Sequence, residues 1–340
     1  MSRIWMSGLE AGHLDVFDSL ESTPTVTNAQ ARTGVYSLYF STSAKGVLSA
    51  LPASIAEIYG RFAVRVDTYH SGARTLLTFF DSGGDEQISL VILGGAGLLQ
   101  ALRGTLSGGT ILGEGGVLPL SRWHCVEIYV KVDNAAGVVQ VKIDGTQVIN
   151  FAGDTQNTGN ANVRSFGLGA CQPLSAGLET YIDDIAFNDV AGGVNDSWIG
   201  RGGISAIFPT GAGASTDLDL FPNTGEANWE DVDEVPPDDD TSYVFDELVD
   251  DHDSYAASDL ANAGTVSAVQ WLARARSDFA GAPEIARILR IGGVDYQGAD
   301  IAIDVGYDYH TEILDQDPDA GPGAWTKAAI DGMELGVKIR

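Results

Sequence analysis

Arg122-Trp123-His124-Cys125-Val126-Glu127-Ile128-Tyr129-Val130-Lys131-Val132-Asp133 runs through Asn134-Ala135-Ala136-Gly137 into Val138–Asn150, and this stretch decides the fold. From Val126, aliphatic residues hold every even position and polar or amphipathic ones every odd position. The alternation resumes at Val139, Val141 and Ile143. Pairing Val132 with Val139 sets Val130 opposite Val141 and Ile128 opposite Ile143. All of these side chains then share one face, because side chains alternate along a strand. Asp144-Gly145 is a strong hairpin signal, since a type I′ turn needs positive φ at both central residues. It predicts that Thr146–Val148 folds back with Val148 facing Val141. A sheet with one dry face requires a second sheet against it.

The surrounding sequence repeats the pattern. Short strands are predicted at Val35–Phe40, Arg61–Asp67, Thr75–Phe80, Gln87–Leu93, Val163–Gly169 and Thr180–Phe187, with weaker ones at Leu98–Arg103 and Thr110–Leu112. Turn residues separate them, which is the pattern of a two-sheet sandwich. With 340 residues and 42 glycines, the chain is expected to be all-β and to hold two domains. The boundaries read as 1–190 for a first sandwich, 191–243 for an extended acidic connection and 244–340 for a smaller second sandwich. Trp198, Ile204, Ile207, Phe208, Phe221 and Trp229 give the connection too many apolar anchors for a free tether. Beyond it, strands are predicted at Val266–Arg276, Glu284–Ile291, Ile301–Val305, Tyr307–Ile313 and Glu334–Ile339. One short helix is expected at Trp325–Gly332.

The net charge of −28 is uneven, because residues 201–340 carry −20 of it and no Lys or Arg lies between Arg201 and Arg274. Such a field repels nucleic acid and anionic membranes, so neither is expected as a partner. Solubility is its plain explanation, and docking onto a basic partner or cation loading the sharper one. Cys125 and Cys171 could be bridged, but a single pair gives no disulfide framework, and both read as buried free thiols. No signal-peptide pattern opens the chain and no run is long enough to span a membrane.

The first 190 residues resemble the concanavalin A-like (laminin G-like) jelly-roll family. The resemblance rests on Arg122–Tyr129, Val141-Lys142-Ile143-Asp144-Gly145 and Tyr181-Ile182-Asp183-Asp184-Ile185. The remainder resembles a C-terminal module of tailed-bacteriophage virion proteins. It does so through Asn228-Trp229-Glu230, Asp238–Val244 and Ala324–Ile330 running into Glu334–Lys338. The opening Ile4–Glu10 also resembles such proteins. The resemblance implies a non-enzymatic, surface-displayed virion protein, tail-associated as an adhesin or tail-tip component, with a head decoration or fibre protein as the alternative. Its partners would be other virion proteins and copies of itself, trimers being plausible, with a host-surface glycan as ligand. Exit by lysis would explain the missing secretion signal. It also implies a structural calcium ion (Ca2+), held by Glu10 with Asp183 or Asp184, where an early acid meets one on the last strand.

From a different class, the jelly roll suits a glycan-binding or glycan-degrading enzyme. A glycosidase needs two carboxyls flanking the scissile bond, and no Glu-x-Asp-x-x-Glu run is present. Asp183-Asp184 would point to opposite faces of its strand. Tyr69, His70, Phe79, Phe80, Trp123 and Tyr129 are aromatic candidates for sugar stacking, against ordinary packing at the rim. His124-Cys125 cannot reach one zinc ion from a single strand face. Asp315–Gly321 lacks the EF-hand glycine and glutamate positions and reads as an acidic turn.

Overall fold

The computed structural model describes residues 2–41, 45–169, 179–261, 264–278, 281, 283–321 and 323–340. It is an all-β, multi-sheet sandwich-like architecture in two compact units. One comprises Met1–Glu10 with Leu14–Ile204, and the other Ala11–His13 with Ser205–Arg340.

The first unit begins with β1 (Arg3–Ser7), β2 (Ser19–Glu21), β3 (Thr25–Thr27), β4 (Ser37–Phe40) and β5 (Gly46–Ile55). The long β6 (Glu57–Thr68) leads to β7 (Arg74–Phe80), β8 (Glu86–Ile92), β9 (Leu98–Arg103) and β10 (Thr110–Val117). It closes with β11 (Trp123–Lys131), β12 (Gly137–Ile143), β13 (Thr146–Gly153), β14 (Val163–Gly169) and β15 (Glu179–Asn188). One sheet runs β13-β12-β11-β6-β15-β4-β3, with β1 also on β15. The other runs β10-β9-β8-β7-β14-β5-β2. Their inner faces bury one continuous core that includes Phe62, Phe79, Val126, Ile128, Phe166 and Phe187. Trp5 stands edge-on to Phe166 at 4.9 Å between ring centroids, and Phe166 lies 4.3 Å from Phe187. Interlocked rings of this kind stabilise a core beyond the area they bury.

The double hairpin forms, but in a different register from the one its sequence suggests. Val130 pairs with Val139, Ile128 with Val141 and Val126 with Ile143. The offset is two residues, so every aliphatic side chain keeps its inward face. The cause is a wider loop. Asp133 Oδ1 accepts the N–H groups of Ala135 and Ala136, while the Thr155 hydroxyl donates to the Lys131 carbonyl and accepts from the Asp133 N–H. Those bonds take Val132 and Asp133 out of the ladder. Asp144 and Gly145 adopt φ of 51° and 84°, as the turn requires. A bulge after it sets Ile149, not Val148, opposite Val141.

The second unit contains β16 (Pro209–Thr216), β17 (Asp219–Phe221), β18 (Tyr243–Phe245), β19 (His252–Ala257) and β20 (Val269–Ala275). After them come β21 (Glu284–Ile291), β22 (Val294–Ala302), β23 (Asp308–Leu314), α1 (Lys327–Asp331) and β24 (Glu334–Ile339). A five-stranded sheet runs β16-β19-β24-β21-β22, beside the two-stranded ribbons β17-β18 and β20-β23. Trp271, Ile285, Leu289, Trp325, Ile330 and Met333 form its core. The Trp271 indole N–H donates to the Gly336 carbonyl at 3.0 Å, tying the β20-β23 ribbon to the sheet. Thr326 caps α1 by accepting the Ala329 N–H, and Gly332 ends it.

Candidate functional site

The outer face of the second sheet has an unusual composition. Alternation along β8 turns Ile88, Leu90 and Ile92 into the core and Gln87, Ser89 and Val91 away from it. Register then sets Thr78 and Leu102 beside Ser89, Gln100 beside Val91 and Glu114 beside Gln100. None of Thr78, Phe80, Ser89, Gln100 or Leu102 belongs to the core cluster, yet Thr78 and Ser89 are at most 1% exposed and Gln100 is 7% exposed. A face packed on another apolar layer would carry aliphatic residues, and a freely solvated one would carry flexible charges. This one is a recessed strip of hydroxyls and an amide. Ser89 donates to the Gly104 carbonyl at 2.8 Å, and the Gln100 amide donates to Glu114.

Each end of the strip is distinct. Beyond the β7–β8 turn, buried Asp81 accepts from Thr158, Asn160 and the N–H groups of Gly83 and Asp85. Burial alone would raise its pKa, but those hydrogen bonds outweigh burial and hold it below the usual carboxylate range. Near the other end, on the face that Ile92 shares with the core, Tyr69, His70, Arg74 and Ile92 border a shallow dimple.

The acids named from sequence come together on the first sheet. Glu10 accepts the N–H groups of Val35 and Tyr36. Asp183 accepts those of Arg32, Thr33 and Asp184. Asp184 takes the Arg32 guanidinium at 2.5 Å, the Thr33 hydroxyl and the Ile204 N–H. Opposite-facing neighbours can share one loop because β15 bulges here, with Asp184 at φ 53°. Burial first, and then the charge of Asp184, pushes Asp183 up to about 7. Burial raises Glu10 as well.

Every carboxylate is turned to N–H, O–H or guanidinium donors, and among the described residues no group of three or more His, Cys, Asp or Glu could hold a metal ion. The compensating charge on Asp184 is Arg32 itself.

Residues 197–204 form a strap over the outer face of the same sheet. Trp198 stands edge-on to the stacked pair Tyr59 and Tyr129, with the Lys142 ammonium 3.5 Å from its ring centre. The Gly200 N–H donates to Glu127 at 2.7 Å. Buried Arg61 donates to the Gly202 carbonyl, which also accepts from Arg32. The Cys125 sulfur lies 3.8 Å from the Gly200 carbonyl, and burial pushes this free thiol up to about 11. Cys171 lies outside the described residues, so its pairing with Cys125 does too.

The remaining candidates scatter. Phe79 is core, Phe80 is on the recessed strip, and Tyr69 and His70 border the dimple. Tyr129 sits on the outer face, as expected, but beneath Trp198. His124 Nδ1 is 2.8 Å from Asp144, and its Nε2 accepts from Arg122. Asp317 accepts the Asp319 N–H within the turn before α1. Thr78, Ser89 and Gln100 escaped sequence reasoning, because a polar position on a strand does not reveal whether its face is recessed.

No protein-family model matches the chain. No curated protein matches it either. Solved structures resemble it weakly. "Cellulose induced protein, Cip1" has 14% identity and a TM-score of 0.44, over 58% of this chain and 100% of that one. Alginate lyase Aly36B has 15% identity and a TM-score of 0.40, over 56% and 96%. Domain 4 of AbnA, an arabinanase from Geobacillus stearothermophilus in complex with arabinotriose, has 18% identity and a TM-score of 0.41, over 55% and 92%. These are low likenesses, and no activity passes from them to this chain.

They are nevertheless not the virion proteins to which the sequence pointed. The virion reading is therefore withdrawn, with its tail, capsid-decoration and host-attachment roles, its virion partners and its assignment as a non-enzyme. The resemblance rested on short words beyond Asn228. Such words, from Asn228-Trp229-Glu230 to the helix before β24, specify turns and caps that unrelated β proteins also need.

Proposed function

We propose that the first unit is a concanavalin A-like jelly roll active on glycans, laying an oligosaccharide along the outer face of β7–β10. The observation that carries this reading is the recessed strip of Thr78, Ser89, Gln100 and Glu114. Hydroxyl and amide groups both donate and accept, which matches the alternating needs of sugar hydroxyls. Phe80 adds an apolar ring on the same face, and sugar rings stack on aromatic faces. Small-molecule sites combine such walls with a few fixed polar groups.

The test is a panel of neutral and acidic polysaccharides, scored for binding by calorimetry and for cleavage by product release. At least one glycan class is expected to bind. A Ser89→Val/Gln100→Leu double variant should bind it at least tenfold more weakly, with its melting temperature within a few degrees of the parent. Absence of binding and cleavage across the panel at millimolar glycan overturns the reading.

A further inference from the structure

We infer that one face of the β17–β18 ribbon docks a basic protein surface, one that sets arginine side chains among apolar ones. The inference concerns the second unit and stands apart from the glycan reading. Register pairs Asp219 with Phe245, Leu220 with Val244 and Phe221 with Tyr243. Directly opposite residues share a face, so Asp219, Phe221, Tyr243 and Phe245 occupy one side of the ribbon and Leu220 and Val244 the other. Phe221 is 44% exposed and Phe245 46%, and among the described residues no other Phe or Trp is as exposed. Leu248 and Val249, just beyond β18, are exposed as well.

The rings form one ladder rather than isolated side chains. Phe221 stacks on Tyr243 with centroids 5.0 Å apart, and Phe245 stands edge-on to Tyr243 at 5.9 Å. A joined apolar patch in water marks a contact surface, whereas single exposed apolar residues do not. The chain around it is held in advance. The Asn228 amide donates to the Leu218 carbonyl before β17, and Asp246 Oδ1 accepts the N–H groups of Glu247 and Leu248 after β18. A face already ordered loses less freedom when a partner arrives.

Charge and ring geometry identify the occupant. No Lys or Arg lies between Arg201 and Arg274, while Asp217, Asp219, Asp246 and Glu247 lie in or next to the two strands. A partner therefore has to bring cations, and a guanidinium both stacks on an aromatic face and pairs with a carboxylate. A second copy of this chain would set these acids against their own duplicates, in a region of residues 201–340 that carries −20. A sugar ring needs an open aromatic face, and Phe221 and Tyr243 each turn one face onto the other. A basic surface with apolar side chains satisfies both the rings and the acids, as aromatic residues at the centre of an interface require.

The experiment titrates the full chain, at about 150 mM salt to screen diffuse attraction, with three soluble peptides of equal length. They alternate arginine with leucine, arginine with serine, and glutamate with leucine. The arginine–leucine peptide should bind at least tenfold tighter than the other two. Phe221→Ser/Phe245→Ser leaves the charge unaltered and should reduce that binding to the level of the arginine–serine peptide. Asp219→Asn should weaken it several-fold, which keeps the test valid if the double variant fails to fold. Equal binding of the two arginine peptides, or arginine–leucine binding unaffected by the variants, overturns the inference. So does a parent dimer in sedimentation that Phe221→Ser/Phe245→Ser abolishes, which would assign the face to a second copy. Loss of glycan binding in the same variant would assign it to a sugar and overturn the inference equally.

Discussion

Asp183 makes stability depend on pH. Its folded pKa of about 7 lies above the ordinary 3.8, so the folded protein holds this proton where the unfolded chain has lost it. The contribution is complete below the unfolded value and disappears as pH rises through 7. The parent should therefore melt at a higher temperature at pH 5 than at pH 8, and Asp183→Asn should flatten that slope; equal slopes refute the assignment. Gly34, at φ 61° against the Glu10 carboxyl, leaves no room for a side chain. Gly34→Ala should cost about 2 kcal/mol or more in urea unfolding. Because Arg32 and backbone donors already occupy the three carboxylates, chelator should leave the melting temperature unchanged. A fall on chelation would show that a bound cation stabilises the fold. The sequence showed which acids are neighbours, since Glu10 and Asp183-Asp184 do meet. It could not show the bulge that turns Asp184 toward Arg32, because a bulge is a backbone event without a residue signature at this site.

At the scale of elements, the strap and the sheet beneath it depend on each other. Removing the Trp198 ring uncovers Tyr59 and Tyr129 and loosens the carbonyls that cover Cys125. Trp198→Ala should cost about 1–3 kcal/mol, below the range for a fully buried ring, since Trp198 is half-buried. It should also speed alkylation of Cys125, located by peptide mass mapping; an unchanged rate would mean that the strap does not guard the thiol. Strand existence was widely legible. Val163–Gly169, Glu284–Ile291 and Glu334–Ile339 fall where their alternation ends at turn residues. Register was less so, because Thr155, far along the chain, widens the loop after Lys131. Face was legible and partner was not: alternation fixes side-chain direction, while pairing depends on what a distant hydroxyl can reach.

Across the whole molecule, charge is the feature most plainly written in the sequence. With −20 of the −28 in residues 201–340, self-repulsion opposes folding at low ionic strength. Adding salt from about 10 to about 200 mM, which shortens the screening length to about 10 Å or less, should raise the melting temperature. A flat or falling response would show that acidic residues are already balanced by pairs such as Arg287–Glu312 and Arg274–Asp239. Function was the least legible level, because the recessed strip is assembled from four strands whose polar positions look ordinary one by one. The strap has a consequence for where this chain can be divided. A truncated protein ending at Asn188 has every strand of both large sheets but lacks the backbone that meets Glu127, Arg61 and Asp184. Three buried charged groups would then confront water or one another. Recombination or proteolysis at that apparent seam should yield insoluble material, whereas a cut after Ile204 leaves a transferable unit.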